Sequence, residues 1–96
     1  MRVYQINYDL RNQRNYQDLH EAIQTYEDWA HPLRSCWIIA TSKGATEVRN
    51  HLAAVMDGDD GLLVTRLSGE AAWRVLDHDR DGQMTNWLKG RLQQAA

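Results

Sequence analysis

Apolar and polar side chains alternate over the first ten residues. An extended chain would carry Tyr4, Ile6, Tyr8 and Leu10 on one side, and Val3, Gln5, Asn7 and Asp9 on the other. Successive side chains of a strand point to opposite faces of a sheet. The alternation therefore predicts a strand with one apolar face and one largely polar face.

The following apolar positions change to a helical spacing. One stripe comprises Tyr16, Leu19, Ile23, Tyr26 and Ala30, and Pro32 is expected to end that helix. A second amphipathic helix carries Ala45, Val48, Leu52 and Val55. A last helix is predicted from about Met84 to Gln93, around Trp87, Leu88 and Leu92.

Two more segments have the composition of strands. Ser35–Thr41 is rich in β-forming residues and apolar on both faces, so we expect it to be covered on both sides. Leu62–Leu67 is predicted to form another strand, after a turn at residues 57–61. Residues 70–76 fit a short strand or a helical turn, and the pattern does not decide between them.

The order β-α-β-α-β, with one strand unaccounted for, indicates a single α+β domain over residues 1–96. The predicted fold is ferredoxin-like: a βαββαβ-type antiparallel sheet with the helices on one face, plus a short C-terminal helix. The other face would be open and would carry Trp37 and Ile39. Because large apolar patches are rarely left in water, we expect a second copy of the chain to cover it, giving a homodimer.

The charge balance excludes a general affinity for polyanions. The net charge is −2 and the pI is about 6.0, so contact with RNA or DNA requires a local basic cluster. Cys36 is the only cysteine, which excludes an internal disulfide. No apolar stretch approaches a membrane span and the N-terminus lacks a signal peptide's apolar block, so we expect a cytoplasmic protein with no membrane partner.

Asp9 is the most informative candidate for chemistry. It ends the first predicted strand, directly before a polar loop that contains Arg11 and Arg14. A carboxylate placed there beside a symmetry mate offers the hard oxygen ligands that divalent ions prefer, and the arginines are suited to phosphate contacts. The alternative is that Asp9 caps the turn and pairs with Arg11 or Arg14 at the surface.

Several short motifs resemble one family. Tyr8-Asp9-Leu10 closes the first strand, Asn15-Tyr16 opens the helix after a basic loop, and Ser35-Cys36-Trp37 lies in the next predicted strand. Together with Gly69–Trp73 and Trp87-Leu88-Lys89, these motifs resemble the small dimeric proteins grouped with CRISPR-associated protein two. The likeness is strongest to the SinR-like offshoot related to virulence-associated protein D, and it spans nearly the whole chain.

This resemblance implies a ferredoxin-like homodimer in which Asp9 of each subunit lies near the dyad, binds Mg2+ and assists phosphodiester hydrolysis. Arg11, Arg14 and Arg34 would neutralise the phosphates of RNA or DNA. Other members of the wider family are structural or nucleic-acid-binding adaptors. The leading expectation is therefore a homodimeric, nucleic-acid-directed protein, with metal-dependent endonuclease activity as its catalytic form.

Two alternatives stay open. The first is a non-catalytic interaction or adaptor protein of a defence or toxin–antitoxin system that docks another protein, and the near-neutral charge favours it. The second is a weak calcium-binding module at residues 77–82, whose sequence DHDRDG has the spacing that opens an EF-hand loop. The twelfth position of that loop is Leu88, where a bidentate Glu normally completes the ligand shell.

Overall fold

The computed structural model describes residues 1–11, 16–68, 70–74, 76 and 82–93. The elements along the chain are β1 (Arg2–Asp9), α1 (Tyr16–Ile23), β2 (Asp28–Leu33), β3 (Cys36–Thr41), α2 (Ala45–Ala53), β4 (Gly61–Leu67) and α3 (Gln83–Leu88). A π-helical segment, Lys89–Gln93, continues α3. Across these ranges the strands form an antiparallel sheet in the order β2-β3-β1-β4, so the α+β antiparallel fold class and the short C-terminal helix are confirmed.

The alternating strand β1 lies inside the sheet, between β3 and β4. Its apolar side packs under α1 and α2, where Tyr4 and Ile6 are 2% and 0% exposed. The predicted strand face is thus confirmed. The core on this side, called the helix-face core below, consists of Tyr4, Ile6, Leu19, Ala22, Ile23, Tyr26, Trp37, Ile39, Val48 and Leu52.

The opposite sheet face is covered by the same chain. Val3 and Ile38 pack there against Leu88 and Leu92 of the C-terminal helical segment. Partly buried apolar side chains surround this second cluster, called the C-terminal-face core below: Leu67, Trp73, Leu76, Met84 and Trp87. All six residues of β3 are buried, which confirms the prediction that this strand is covered on both sides.

The prediction that Trp37 and Ile39 lie on an open sheet face is wrong. In the β1–β3 register, Trp37 is opposite Ile6 and Ile39 is opposite Tyr4, so both belong to the face that α1 and α2 cover. No uncovered sheet face at Trp37 and Ile39 therefore calls for a second copy, and the homodimer stays a prediction without that support.

The predicted first helix is too long. It ends at Ile23 and not near Ala30, and residues 28–33 form β2, the strand that the sequence left unaccounted for. Ala30 fits a helical stripe from Ile23 and Tyr26, but it pairs with Ile38 of β3 instead. Pro32 is accommodated because β2 lies at the edge of the sheet and has an irregular register between Ala30 and Leu33.

Residues 70–74 and 76 form neither a strand nor a helix, which answers the question that the sequence left open for that part of the chain. Trp73 and Leu76 instead pack against the C-terminal-face core. Among the described residues, no helix is both long and apolar enough to cross a membrane.

Candidate functional site

The end of β1 carries the residues that the sequence singled out. Asp9 pairs with Gly61 of β4 in the sheet register, and its Oδ2 lies 3.1 Å from Nε of Arg11. Both side chains are largely exposed, at 73% for Asp9 and 56% for Arg11. The carboxylate is thus held in a surface ion pair by an arginine of its own chain, the arrangement that the sequence left open as the alternative.

The turn before β4 is joined to the loop after β1. The backbone N–H of Arg11 donates to Oδ1 of Asp60 at 2.9 Å, and the N–H of Asp57 donates to Oδ2 of Asp60 at 2.9 Å. Carboxylate oxygens of Asp57, Asp59 and Asp60 lie within 4.8 Å of one another. Both oxygens of Asp60 accept backbone N–H bonds, one from each of two turns. The carboxylate of Asp60 thus connects the turns, and this structural role accounts for its place in the acidic cluster.

The residues around Asp9 do not complete a magnesium site within one chain. Mg2+ prefers about six oxygen ligands in octahedral geometry. Over the described ranges, the acidic residues close enough to gather around an ion are Asp57, Asp59 and Asp60, and Asp9 is not among them. As far as the described residues go, a metal held by Asp9 would take its other ligands from water, from a substrate phosphate or from a second copy, and it would have to compete with Arg11.

A hydrogen-bond network lies directly beside Asp9, around the hydroxyl of Tyr8. That oxygen accepts a hydrogen bond from Nε1 of Trp37 at 3.3 Å and lies 2.8 Å from Nε2 of His20. The hydroxyl also donates to the carbonyl oxygen of Arg34 at 3.1 Å. Since a carbonyl only accepts and the hydroxyl has one proton, all three contacts are satisfied together when Nε2 of His20 is protonated and donates.

Aromatic rings fill the space between this network and β2. The rings of His31 and Trp37 are stacked at 3.9 Å with an interplanar angle of 8°, and His20 lies 5.4 Å from His31. Burial and then the neighbouring His31 lower the pKa of His20 below its ordinary value of 6.5. Burial also raises the pKa of Tyr8. Both shifts favour the neutral forms of these two groups.

Three arginines were predicted to bind phosphate, and the first of them, Arg11, pairs with Asp9 as described above. Arg34 is exposed in the turn between β2 and β3, and its carbonyl oxygen accepts hydrogen bonds from Tyr8 and from Nε2 of His31 at 2.9 Å. The structure thus brings Arg34 to the same end of the sheet as Asp9 and Arg11, called the Asp9 end below. Arg14 lies outside the described residues.

A cleft of about 320 Å³ runs along the outer edge of β2, between that strand and α3. Three of its lining residues are tryptophans: Trp29, Trp37 and Trp87. We call it the tryptophan cleft. Its walls come from separate segments of the chain, so no local pattern in the sequence predicts it. The spacing of Trp29 and His31, which places both on one face of a strand, is a signal that appears only once β2 is recognised as a strand.

The EF-hand-like loop falls mostly outside the described residues, which resume at Gly82. Its twelfth position, Leu88, is 2% exposed and belongs to the C-terminal-face core. A buried leucine side chain offers no oxygen ligand. The calcium-binding alternative stays a prediction, and it has no support at the position that would complete the ligand shell.

No model of a known protein family matches this sequence, and no curated protein is similar enough to count as a match. The resemblance to the CRISPR-associated protein two group therefore stays a prediction from short motifs.

Proposed function

We propose that this chain is a nucleic-acid-directed protein that contacts phosphates at the Asp9 end of its sheet. The observation that carries the proposal is that the turn holding Arg34 lies at the same end of the sheet as Asp9 and Arg11, which follow each other at the end of β1. Guanidinium groups bind phosphate oxygens through charge-assisted hydrogen bonds. With a net charge of −2, only such a local cluster can give the chain affinity for RNA or DNA.

The architecture proposed for this function is the ferredoxin-like fold. The βαββαβ order of the first six elements supports it, as does a sheet in which β1 and β3 are the inner strands. The helix-face core also supports it, since α1 and α2 contribute to the same cluster over one sheet face.

The catalytic form of the proposal is a homodimeric, metal-dependent endonuclease in which Asp9 of two copies shares Mg2+. For Asp9 of two copies to share an ion, the second copy would have to approach at the Asp9 end, where β4 is the nearest edge strand, since the C-terminal segment covers the sheet face opposite the helices. On β4, Leu63 is 60% exposed and lies next to this end of the sheet. An exposed apolar side chain on an edge strand is suited to such a contact.

The test is cleavage of RNA and of duplex DNA by the purified protein with Mg2+ or Mn2+, alongside Asp9→Asn. The matched control is Glu27→Gln, which removes an exposed carboxylate next to β2 at the opposite end of the sheet. The catalytic form predicts that cleavage needs the metal, persists in the control, and falls by at least about 100-fold in Asp9→Asn. Equal cleavage by both variants would contradict it, and light scattering would decide whether the protein is a dimer.

A non-catalytic adaptor is the second candidate, and the Asp9–Arg11 ion pair favours it. A carboxylate that already pairs with an arginine of its own chain has to give up that contact to bind a metal. This candidate predicts salt-dependent binding of RNA or DNA that Arg34→Ala weakens, without cleavage by any variant. An absence of binding at low salt would contradict the nucleic-acid proposal as a whole and would favour a protein partner.

A further inference from the structure

The tryptophan cleft combines the features of a site for a flat, uncharged ring. Its volume of about 320 Å³ is at the lower end of the range for small-molecule sites. Trp29 on its rim is 40% exposed, which is high for so large an apolar side chain. The ring of Trp29 lies 5.5 Å from that of Trp37, and Trp37 in turn is stacked on His31. The cleft thus offers the solvent-exposed ring of Trp29, which is backed by the buried ring of Trp37.

The polar side chains of the cleft include two amides beside the imidazole of His31. Gln24 follows α1 and Gln83 begins α3, and both side chains line the cleft. A carboxamide donates and accepts hydrogen bonds, as the edge of a nucleobase does. The lining residues that the structure describes include no Asp, Glu, Lys or Arg. Among these described residues a charged ligand would find no counter-charge, whereas a neutral planar heterocycle would find an aromatic ring face and amide partners for its edge.

The wall formed by α3 is held in place by a polar contact with β2. Nε1 of Trp87 donates to Oδ1 of Asp28 at 2.8 Å, and Nε of Arg91 donates to Oδ2 of the same carboxylate at 2.6 Å. The guanidinium of Arg91 also lies 5.2 Å from the centre of the Trp87 ring. Trp87 is thereby oriented before any ligand arrives, which lowers the entropic cost of binding.

The cleft is linked to the Asp9 end through His31. This residue lines the cleft, and its Nε2 is hydrogen-bonded to the carbonyl oxygen of Arg34 at 2.9 Å. A strand whose phosphates contact Arg34 would therefore have a neighbouring base close to the cleft. Bases in duplexes are stacked and paired, so only an unpaired base can enter.

We propose that the tryptophan cleft binds one unpaired base of a single-stranded nucleic acid. This inference rests on the proposed function, since Arg34 and Arg11 supply the phosphate contacts of the same strand. Stacking on aromatic side chains tolerates any base, and the amides of Gln24 and Gln83 give a modest preference among bases.

The test compares two labelled single strands of equal length, one with bases and one composed of abasic residues, by fluorescence anisotropy at low salt. Trp29→Ala should weaken binding of the strand with bases between about 5-fold and 100-fold, the range for stacking one base on an aromatic side chain. It should leave binding of the abasic strand unchanged. Trp29→Phe, which keeps an aromatic face, should retain most of the affinity.

Leu33→Ala is the matched control, because it removes another exposed apolar side chain of β2 that does not line the cleft. It should change neither affinity, and melting curves should show that all variants fold. If Trp29→Ala weakens both strands equally or neither, the cleft inference is overturned. Weaker binding of both strands to Arg34→Ala would still support the proposed function, and no binding of either strand to the native protein would overturn both proposals.

Nucleoside monophosphates serve as competitors in the same assay. If the cleft binds a base of a single-stranded nucleic acid, mononucleotides should compete only at concentrations far above that of the nucleic acid. They lack the additional phosphate contacts with Arg34 and Arg11. Competition at equal concentrations would overturn the assignment to a strand and would identify a free nucleotide as the occupant.

Discussion

The two faces of the sheet are covered in different ways. Among the described residues, the helix-face core contains ten buried residues from β1, β3, α1, α2 and the turn after α1. In the same part of the chain, the C-terminal-face core contains four, and two of them come from the last helical segment. Adjacent residues of β3 point to the two different faces. Ile39 lies in the helix-face core and is 0% exposed, whereas Ile38 lies in the C-terminal-face core and is 7% exposed.

The polar contacts differ as well. On the helix side, tyrosine hydroxyls form hydrogen bonds with histidine rings, and the hydroxyl of Tyr26 lies 2.7 Å from Nδ1 of His51. On the C-terminal side, the carboxylate of Asp28 holds Trp87 and Arg91. The first face is thus stabilised mainly by apolar packing of two helices against the inner strands. The second depends on a distant segment fixed by one charged contact.

The largest expected loss of stability comes from shortening the side chains that β3 places on the two faces of the sheet. Ile39→Ala should lower the free energy of unfolding by about 4 kcal/mol, because the dense helix-face core cannot close around the cavity. Ile38→Ala should cost about 2 kcal/mol, since Ile38 is 7% exposed and the site it leaves is closer to solvent. Urea denaturation of both variants checks the difference. Equal losses would show that the two faces are packed alike.

A smaller effect is expected from Asp28→Ala, at about 1 kcal/mol. The pair with Arg91 is partly exposed, with 27% and 39% of the side chains accessible, so solvent screens it. Amide hydrogen exchange should accelerate in residues 84–93 and remain unchanged in β1 and β3. Glu27→Ala, which removes the neighbouring exposed carboxylate, is the control and should leave the exchange of this segment unaltered.

The smallest expected effect is a pH dependence on the helix side. The pKa of His20 is lowered in the folded chain, so the unfolded chain binds more protons as the pH falls below 6.5. The contribution of His20 to stability is complete above this pH and is lost as the pH falls from 6.5 towards its lower folded-state pKa.

Urea denaturation at pH 7.5 and at pH 5.5 measures this loss. His20→Asn should show a smaller difference between the two pH values than the native protein, whereas His51→Asn serves as the comparison on α2. If His20→Asn shows the same difference as the native protein, the pH dependence has another source.

The elements that the sequence predicted correctly are those whose pattern of apolar residues lies within one segment. The alternation of β1, the apolar run of β3 and the stripe of α2 each lie within one segment, and the structure contains all three. β2 was missed because Ala30 fits the spacing of the preceding helix, and its role as an edge strand depends on pairing with β3. Propensity within the segment does not contain that partner.

The candidate site shows the same division. The sequence placed Asp9 and Arg11 together because they are two residues apart, and they form an ion pair. It did not connect Tyr8 with His20 and Arg34, whose contacts span 12 and 26 residues. Nor did it find the tryptophan cleft, whose lining comes from the end of α1, from β2 and β3, and from α3.

By itself, the sequence determined which strands have a buried side, where the last helix lies, and that β3 is covered on both faces. These properties follow from the period of apolar residues, which is a local quantity. The tertiary structure alone decided which segment covers each face, that β2 is a strand, and that indole rings meet at its edge. Those outcomes depend on contacts such as that of Asp28 with Trp87, 59 residues apart, and no local period encodes such a distance.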